Sequence, residues 1–225
     1  MFAYSLRPVN QERVQCPSIR SSGLRSMKFS QIAGFVLLFC SVAVAQKSRT
    51  PIDLGPDSGS VHGDEYKNDF FGFAYAFPRD WSVLNRQSQT GIRLSKGRLY
   101  TLLFVSTSPT GTMGPADAGI VVLAEDVSPS GIRDGKDGAN KLVELLSHTE
   151  PPHTMLLAPQ EVILGGNQFY RLEYEQQTFP TARHYFCTVV GVLSGYVLRF
   201  SIIADTKARM NEACATTASL RFKNK

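Results

Sequence analysis

The sequence lacks the compact patterns that announce metal or catalytic chemistry. It has no His-Glu-x-x-His, no Cys-x-x-Cys and no carboxylate-rich calcium loop, which leaves no familiar ligand spacing for zinc or calcium. Ser194, in LSGY, lacks the Gly-x-Ser-x-Gly elbow that exposes a hydrolase nucleophile. Gly131, Gly135 and Lys136 carry the wrong spacing for a phosphate-binding loop, and Asp137 stands where a Ser or Thr is needed. There is one tryptophan, Trp81, and there are four histidines, His62, His148, His153 and His184. No 20–50-residue repeat marks a solenoid. No catalytic residue, metal ligand or cofactor is expected.

Charge of one sign is also scarce where it would matter. The net charge is +5, yet residues 1–45 hold Arg7, Arg13, Arg20, Arg25 and Lys28 against Glu12 alone. The remainder is close to neutral, with no long run of like charge, so nothing favours nucleic acid as a partner. The hydrophobic fraction of 43% and charged fraction of 19% are those of an ordinary globular protein.

Long apolar runs are missing too. The longest, about Ile32 to Val44, falls short of the ~20 residues of a membrane helix. It follows Met27-Lys28 and ends in Ala43-Val44-Ala45 before Gln46. A basic start, an apolar middle and a small-x-small end are the parts of a secretory signal peptide, with cleavage expected between Ala45 and Gln46. Cys40 does not suit a lipoprotein site, because Phe39 occupies a position that is usually small. Residues 1–26 read either as an over-extended start or as an extra targeting segment. The expected location is periplasmic or secreted, with an organellar lumen as the alternative and no stable membrane anchor after processing.

Only Cys187 and Cys214 remain in the mature part. An even pair in an exported chain suits a disulfide. Cys187 lies in a strand-like run and Cys214 in a helix-like one, and a helix on a sheet usually holds backbones too far apart for the bond. Disulfide and paired buried thiols both stand as readings.

Residues 46–64 mix Pro, Gly, Ser and charge and read as a flexible leader; the domain is expected over 65–225. It opens with NDFFGFAYAFPRDWSVL, where Phe71, Phe73, Tyr75 and Phe77 alternate with Gly72, Ala74 and Ala76. Period two predicts a core strand. Pro78 should stop it and occupy the second position of a turn. Trp81 then reads as a core anchor in preference to a ligand platform. Further strands are expected over 99–106, 119–127, 160–164, 168–177, 183–192 and 196–204. Ala139, Leu142, Val143 and Leu146 predict one helix, closed off by Pro151-Pro152. Met210, Ala213, Cys214, Thr217 and Leu220 predict a last helix capped by Asp205. The TSPTGTMGPADA loop at 107–118 is the first expected place for a partner contact. The fold class is α+β: one largely antiparallel sheet of about six or seven strands with helices packed on it.

FFGFAYAFPRDWSV, LGGNQFYRLEYEQ, GYVLRFSIIA and the closing SLRF resemble the PsbP-like superfamily over about residues 66–223. That resemblance implies an antiparallel sheet sandwiched by helices (α-β-α) and, with the leader, an exported bacterial member. Its fold signature is carried by Phe71, Gly72, Phe73, Phe77, Pro78 and Trp81, and it implies no catalytic residues.

Two other sets of side chains could carry chemistry. His184-x-x-Cys187 resembles a metal pair, but an offset of three puts the two on opposite strand faces. Arg171, Glu173 and Glu175 share a strand face, which reads as a solvated, salt-bridged surface in preference to an acid–base pair. The expected function is therefore an exported, non-catalytic module that binds a protein partner in the cell envelope. A small-ligand or lipid binder is the alternative, and an enzyme without a recognised motif comes third. An apolar pocket of roughly 300 Å3 or more would favour the ligand binder, an exposed apolar patch or an ordered surface groove the partner module.

Overall fold

The computed structural model describes residues 55–84, 93–109, 114–128, 131–179 and 182–223, which fall in one unit. The signal segment, Ala45 and Gln46 lie outside them. No helix among the described residues is long and apolar enough to cross a membrane.

Eleven strands form two sheets among these residues. In chain order they are β1 (Ser60–His62), β2 (Glu65–Asn68), β3 (Phe73–Ala76), β4 (Ser82–Val83), β5 (Leu99–Ser106), β6 (Gly119–Asp126), β7 (His153–Leu164), β8 (Asn167–Phe179), β9 (Ala182–Leu193), β10 (Tyr196–Ala204) and β11 (Arg221–Phe222). Helix α1 spans Gly135–Leu146, and α2 spans Lys207–Ala215, continuing into a 3-10 turn over Thr216–Ser219. The large sheet has the order β4-β5-β6-β10-β9-β8-β7 and the small one β1-β2-β3-β11. Every strand pair is antiparallel, as expected where short turns join successive strands. The β7–β8 hairpin turns on Gly165-Gly166, with Leu164 opposite Asn167; both glycines have positive φ, the backbone that a two-residue hairpin turn requires.

The α+β class, the seven-stranded sheet and a helix on each face agree with the sequence reading. The second sheet does not appear in it. Alternation along β9 and β10 explains the layering. Cys187, Val189, Leu198, Phe200 and Ile202 face one core, shared with β3, Met210 and Ala213. Phe186, Val190 and Val197 face the other, filled by Ala139, Leu142 and Leu146 of α1. Phe200 meets Phe73 at 5.9 Å and Tyr75 at 5.4 Å between ring centres, so the aromatic face of the opening stretch joins the small sheet to the large one.

Local readings need three corrections. The first core strand begins at Phe73, not Phe71, because Gly72 sits at φ +68°, outside extended space; Phe71 stays buried in the turn, its N–H donating to Asn68 Oδ1 at 3.0 Å. The turn after β3 starts at Pro78, whose carbonyl accepts from Trp81 N at 3.2 Å, so Pro78 is its first residue and not its second. The cap of α2 is Thr206, whose side chain accepts from Arg209 N; Asp205 instead pairs with Arg209 at 2.7 Å. Both residues are adequate caps by type, and the extended backbone of Thr206 decides between them.

Candidate functional site

The end of β3 and the turn after it run alongside α2, and a cleft lies between them. Ala76, Phe77, Pro78 and Trp81 form one wall. Arg209, Glu212 and Ala213 of α2, with Thr216 and Ser219 of the 3-10 turn, form the other. The cleft has a volume of about 390 Å3. Trp81 is half-buried and packs against the core from the cleft side. Trp81 thus packs on the core as expected, but only in part: Phe77 in the same wall is the buried residue, and the half-buried indole also lines the opening.

Three connections hold the helical wall in place. Ser219 Oγ donates to the Ala76 carbonyl and accepts from the Ala76 N–H, each at 3.0 Å. The Tyr75 hydroxyl donates to Thr216 Oγ1 at 2.7 Å; burial pushes the Tyr75 phenol far above its ordinary value, so it stays neutral. Cys187 on β9 is bonded to Cys214 on α2, with an S–S distance of 1.98 Å and Cα atoms 6.1 Å apart. The expectation that a helix on a sheet stands too far off fails here: α2 and β9 share one core, and the 6.1 Å between the Cα atoms is within disulfide reach.

Most polar groups of the cleft are therefore occupied by the fold. Arg209 donates to Asp205 at 2.7 Å and to the Ala116 carbonyl at 2.9 Å, tying α2 to the 107–118 loop. Thr216 also donates to the Ala213 carbonyl. Glu212 differs: it is exposed on the cleft wall and forms no ion pair with any described residue.

The other sequence candidates are scattered. Residues 110–113 of the loop lie outside the described residues. Glu173 bonds Arg171 at 2.5 Å and Glu175 bonds Arg183 at 2.7 Å. These carboxylates are ion-paired as expected, but Glu173 is only 8% exposed, so the solvated-face reading is corrected at that position: Glu173 is buried on the Phe169 side of β8. His184 falls on the Phe186 side of β9, whereas Cys187 faces the opposite core and is bonded to Cys214; they cannot share a ligand. A larger, more polar hollow of about 560 Å3 lies where the turns at 69–72, 165–167 and 193–194 meet Lys223, and there Lys223 is spent on Asp69 at 2.5 Å.

His184 supplies a pH prediction. It is 2% exposed, and burial, opposed by Asp205, a backbone hydrogen bond at Gly114 and Asp117, draws its pKa below the ordinary 6.5. A folded pKa below the unfolded one means that the unfolded chain binds the proton first. Its stabilising share is therefore whole above about pH 6.5 and declines as pH falls toward the lowered folded value. Urea midpoints measured between pH 8 and pH 5 should fall with acidity, and His184→Gln should flatten that slope.

Arg209, Glu212, Thr216 and Ser219 were not singled out from the sequence. They flank the inward stripe of Met210, Ala213, Cys214 and Thr217 at helical spacing, which could have marked a second helix face. Nothing local shows that Trp81 stands opposite.

Fold and site together define an α+β domain whose last helix, bonded to the large sheet, walls an aromatic cleft. No family model and no curated protein matches the sequence. Among solved structures, the chain is similar to cyanobacterial PsbP (CyanoP) from Synechocystis sp. PCC 6803, at 11% identity and a TM-score of 0.49, covering 73% of this chain and 98% of that one. It is similar to LpqN, involved in cell envelope biogenesis of Mycobacterium tuberculosis, at 14% identity and a TM-score of 0.47, covering 68% and 83%. A third likeness is to PA94, a protein of unknown function from Pseudomonas aeruginosa, at 12% identity and a TM-score of 0.41, covering 64% and 99%. These are likenesses of fold, and the first is to a protein of the superfamily that the sequence motifs resemble.

Proposed function

We propose that this protein is an exported, non-catalytic binding module that receives a segment of a protein partner in the cleft between Trp81 and α2. The cleft itself is the observation that carries this reading: about 390 Å3 of space between an aromatic wall and a fastened helix. Export is supported by the Met27–Ala45 pattern and by the Cys187–Cys214 bond, which suits an oxidising compartment. The non-catalytic reading rests on the use of polar groups. Thr216, Ser219 and Arg209 are committed to holding the walls, and Glu173 and Glu175 are each held by an arginine.

The volume of the cleft favours one second reading, a small-ligand or lipid binder, since it exceeds the roughly 300 Å3 at which drug-sized ligands find pockets. Site-directed photocrosslinking separates the two. A photoreactive residue at exposed Asp80, beside the cleft, should trap a discrete protein in the native envelope fraction. The same probe at exposed Glu144 on α1, across the large sheet, should not. Equal capture from both positions would sink the partner reading. A lipid carried through purification and seen in the native mass spectrum would move the assignment to the second.

A further inference from the structure

Resting on that reading of the cleft, we propose that the group it recognises is a basic side chain, a lysine or arginine of the partner polypeptide, laid across Trp81 with its charge at Glu212. Among the described residues, Arg209 is the only cation lining the cleft, and Asp205 and the Ala116 carbonyl already hold it. Glu212 lines the same space and pairs with no described cation. Asp80, one residue before Trp81, is exposed and likewise forms no ion pair among the described residues, whereas its neighbour Arg79 is taken by Asp64 at 2.8 Å. The approach to the cleft thus carries two uncommitted carboxylates and no uncommitted cation among its lining residues.

The apolar lining selects within the class of cations. A small hydrated ion gains nothing from Ala76, Phe77, Pro78 and Trp81. A lysine or arginine buries its methylene stem against such a wall and keeps its head in water. The indole face attracts the head electrostatically, and tryptophan does so better than the other aromatic side chains. Glu212 sits on the facing helix, so ring and carboxylate can act on one charged head from two sides. A fatty acid or other anionic amphiphile would meet the same carboxylates as a repulsion, so the cleft favours a basic peptide over an anionic lipid.

The only tryptophan of the chain stands in the site, so its emission reports occupancy directly. The mature protein is titrated with a blocked pentapeptide, acetyl-Gly-Leu-Arg-Leu-Gly-amide, and with the same peptide carrying citrulline, which keeps the shape and removes the charge. The arginine peptide should shift the Trp81 emission and bind about tenfold more tightly than the citrulline one. Glu212→Gln should remove most of that preference, while Glu144→Gln on α1 leaves it unchanged. Equal response to both peptides, or a preference that survives Glu212→Gln, overturns the inference. If anionic lipid micelles move the emission and the peptides do not up to about 10 mM, the basic-side-chain assignment fails while the cleft remains a binding site. If no probe moves it and crosslinking from Asp80 traps nothing, the binding reading itself fails.

Discussion

Replacing Cys187 and Cys214 together by alanine should lower the unfolding free energy by about 3–4 kcal/mol. The bond joins positions 27 apart in sequence, and closing a loop of that length removes about this much conformational freedom from the unfolded chain. Both cysteines are buried, so the alanines also lose sulfur contacts, which adds to the loss. The second consequence is local. α2 is tied to β9 by this bond, and five of its positions or those just beyond it line the cleft. Without the bond, that wall rests on the core packing of Met210 and Ala213 and on the Tyr75–Thr216, Ser219–Ala76 and Arg209–Ala116 hydrogen bonds, each contributing only about 1 kcal/mol net. The variant should therefore show a red-shifted Trp81 emission while still folded, and weaker binding of the arginine peptide. Urea melts followed by tryptophan emission and by far-ultraviolet dichroism check both parts. A midpoint equal to that of the parent would refute the staple, and unchanged emission would separate the staple from the cleft.

That bond marks the boundary of what the residues disclose in advance. The strands β5, β6, β9 and β10 were legible because each alternates or runs apolar between turn signals, and both helices because their buried positions recur with period 3.6. Turn chemistry placed both long hairpins. The small sheet escaped notice because β1 and β11 are only three and two residues long, too short for any period to show. Phe71, Phe73, Tyr75 and Phe77 were correctly read as core, yet their period could not say which sheet they belong to. The disulfide was undecidable for a similar reason: its Cα separation depends on how closely α2 packs, a property of Ala213 and its neighbours together. The site was the least legible part. Trp81 and Glu212 lie more than a hundred positions apart, and each is ordinary in its own surroundings. Only the packing of β3 beside α2 turns them into facing walls.

The packing that creates this juxtaposition depends most on one ring. Phe200, on β10, is 1% exposed, and its strand is hydrogen-bonded on both sides, to β6 and to β9. Its ring meets Phe73 and Tyr75 of the small sheet and, at 6.4 Å, Phe169 of β8. The backbone around it cannot close a gap, because β10 is fixed by its two neighbours; the cavity left by Phe200→Ala must persist. The expected loss is then at the upper end for a buried aromatic, about 4–5 kcal/mol, including the edge-to-face contacts it forfeits. Phe200→Leu should cost roughly half as much, since most of the volume remains. Val83→Ala, at a side chain 47% exposed, should stay within about 0.5 kcal/mol. The functional consequence follows from the topology. β3 reaches the large sheet chiefly through Phe73 and Tyr75 on Phe200, and it leads directly into Ala76, Phe77, Pro78 and Trp81. Loosening that contact should weaken the arginine peptide even under conditions where Phe200→Ala remains folded, with Phe200→Leu intermediate. A full-strength peptide response in a folded Phe200→Ala protein would show that the aromatic wall is held by something other than the inter-sheet core.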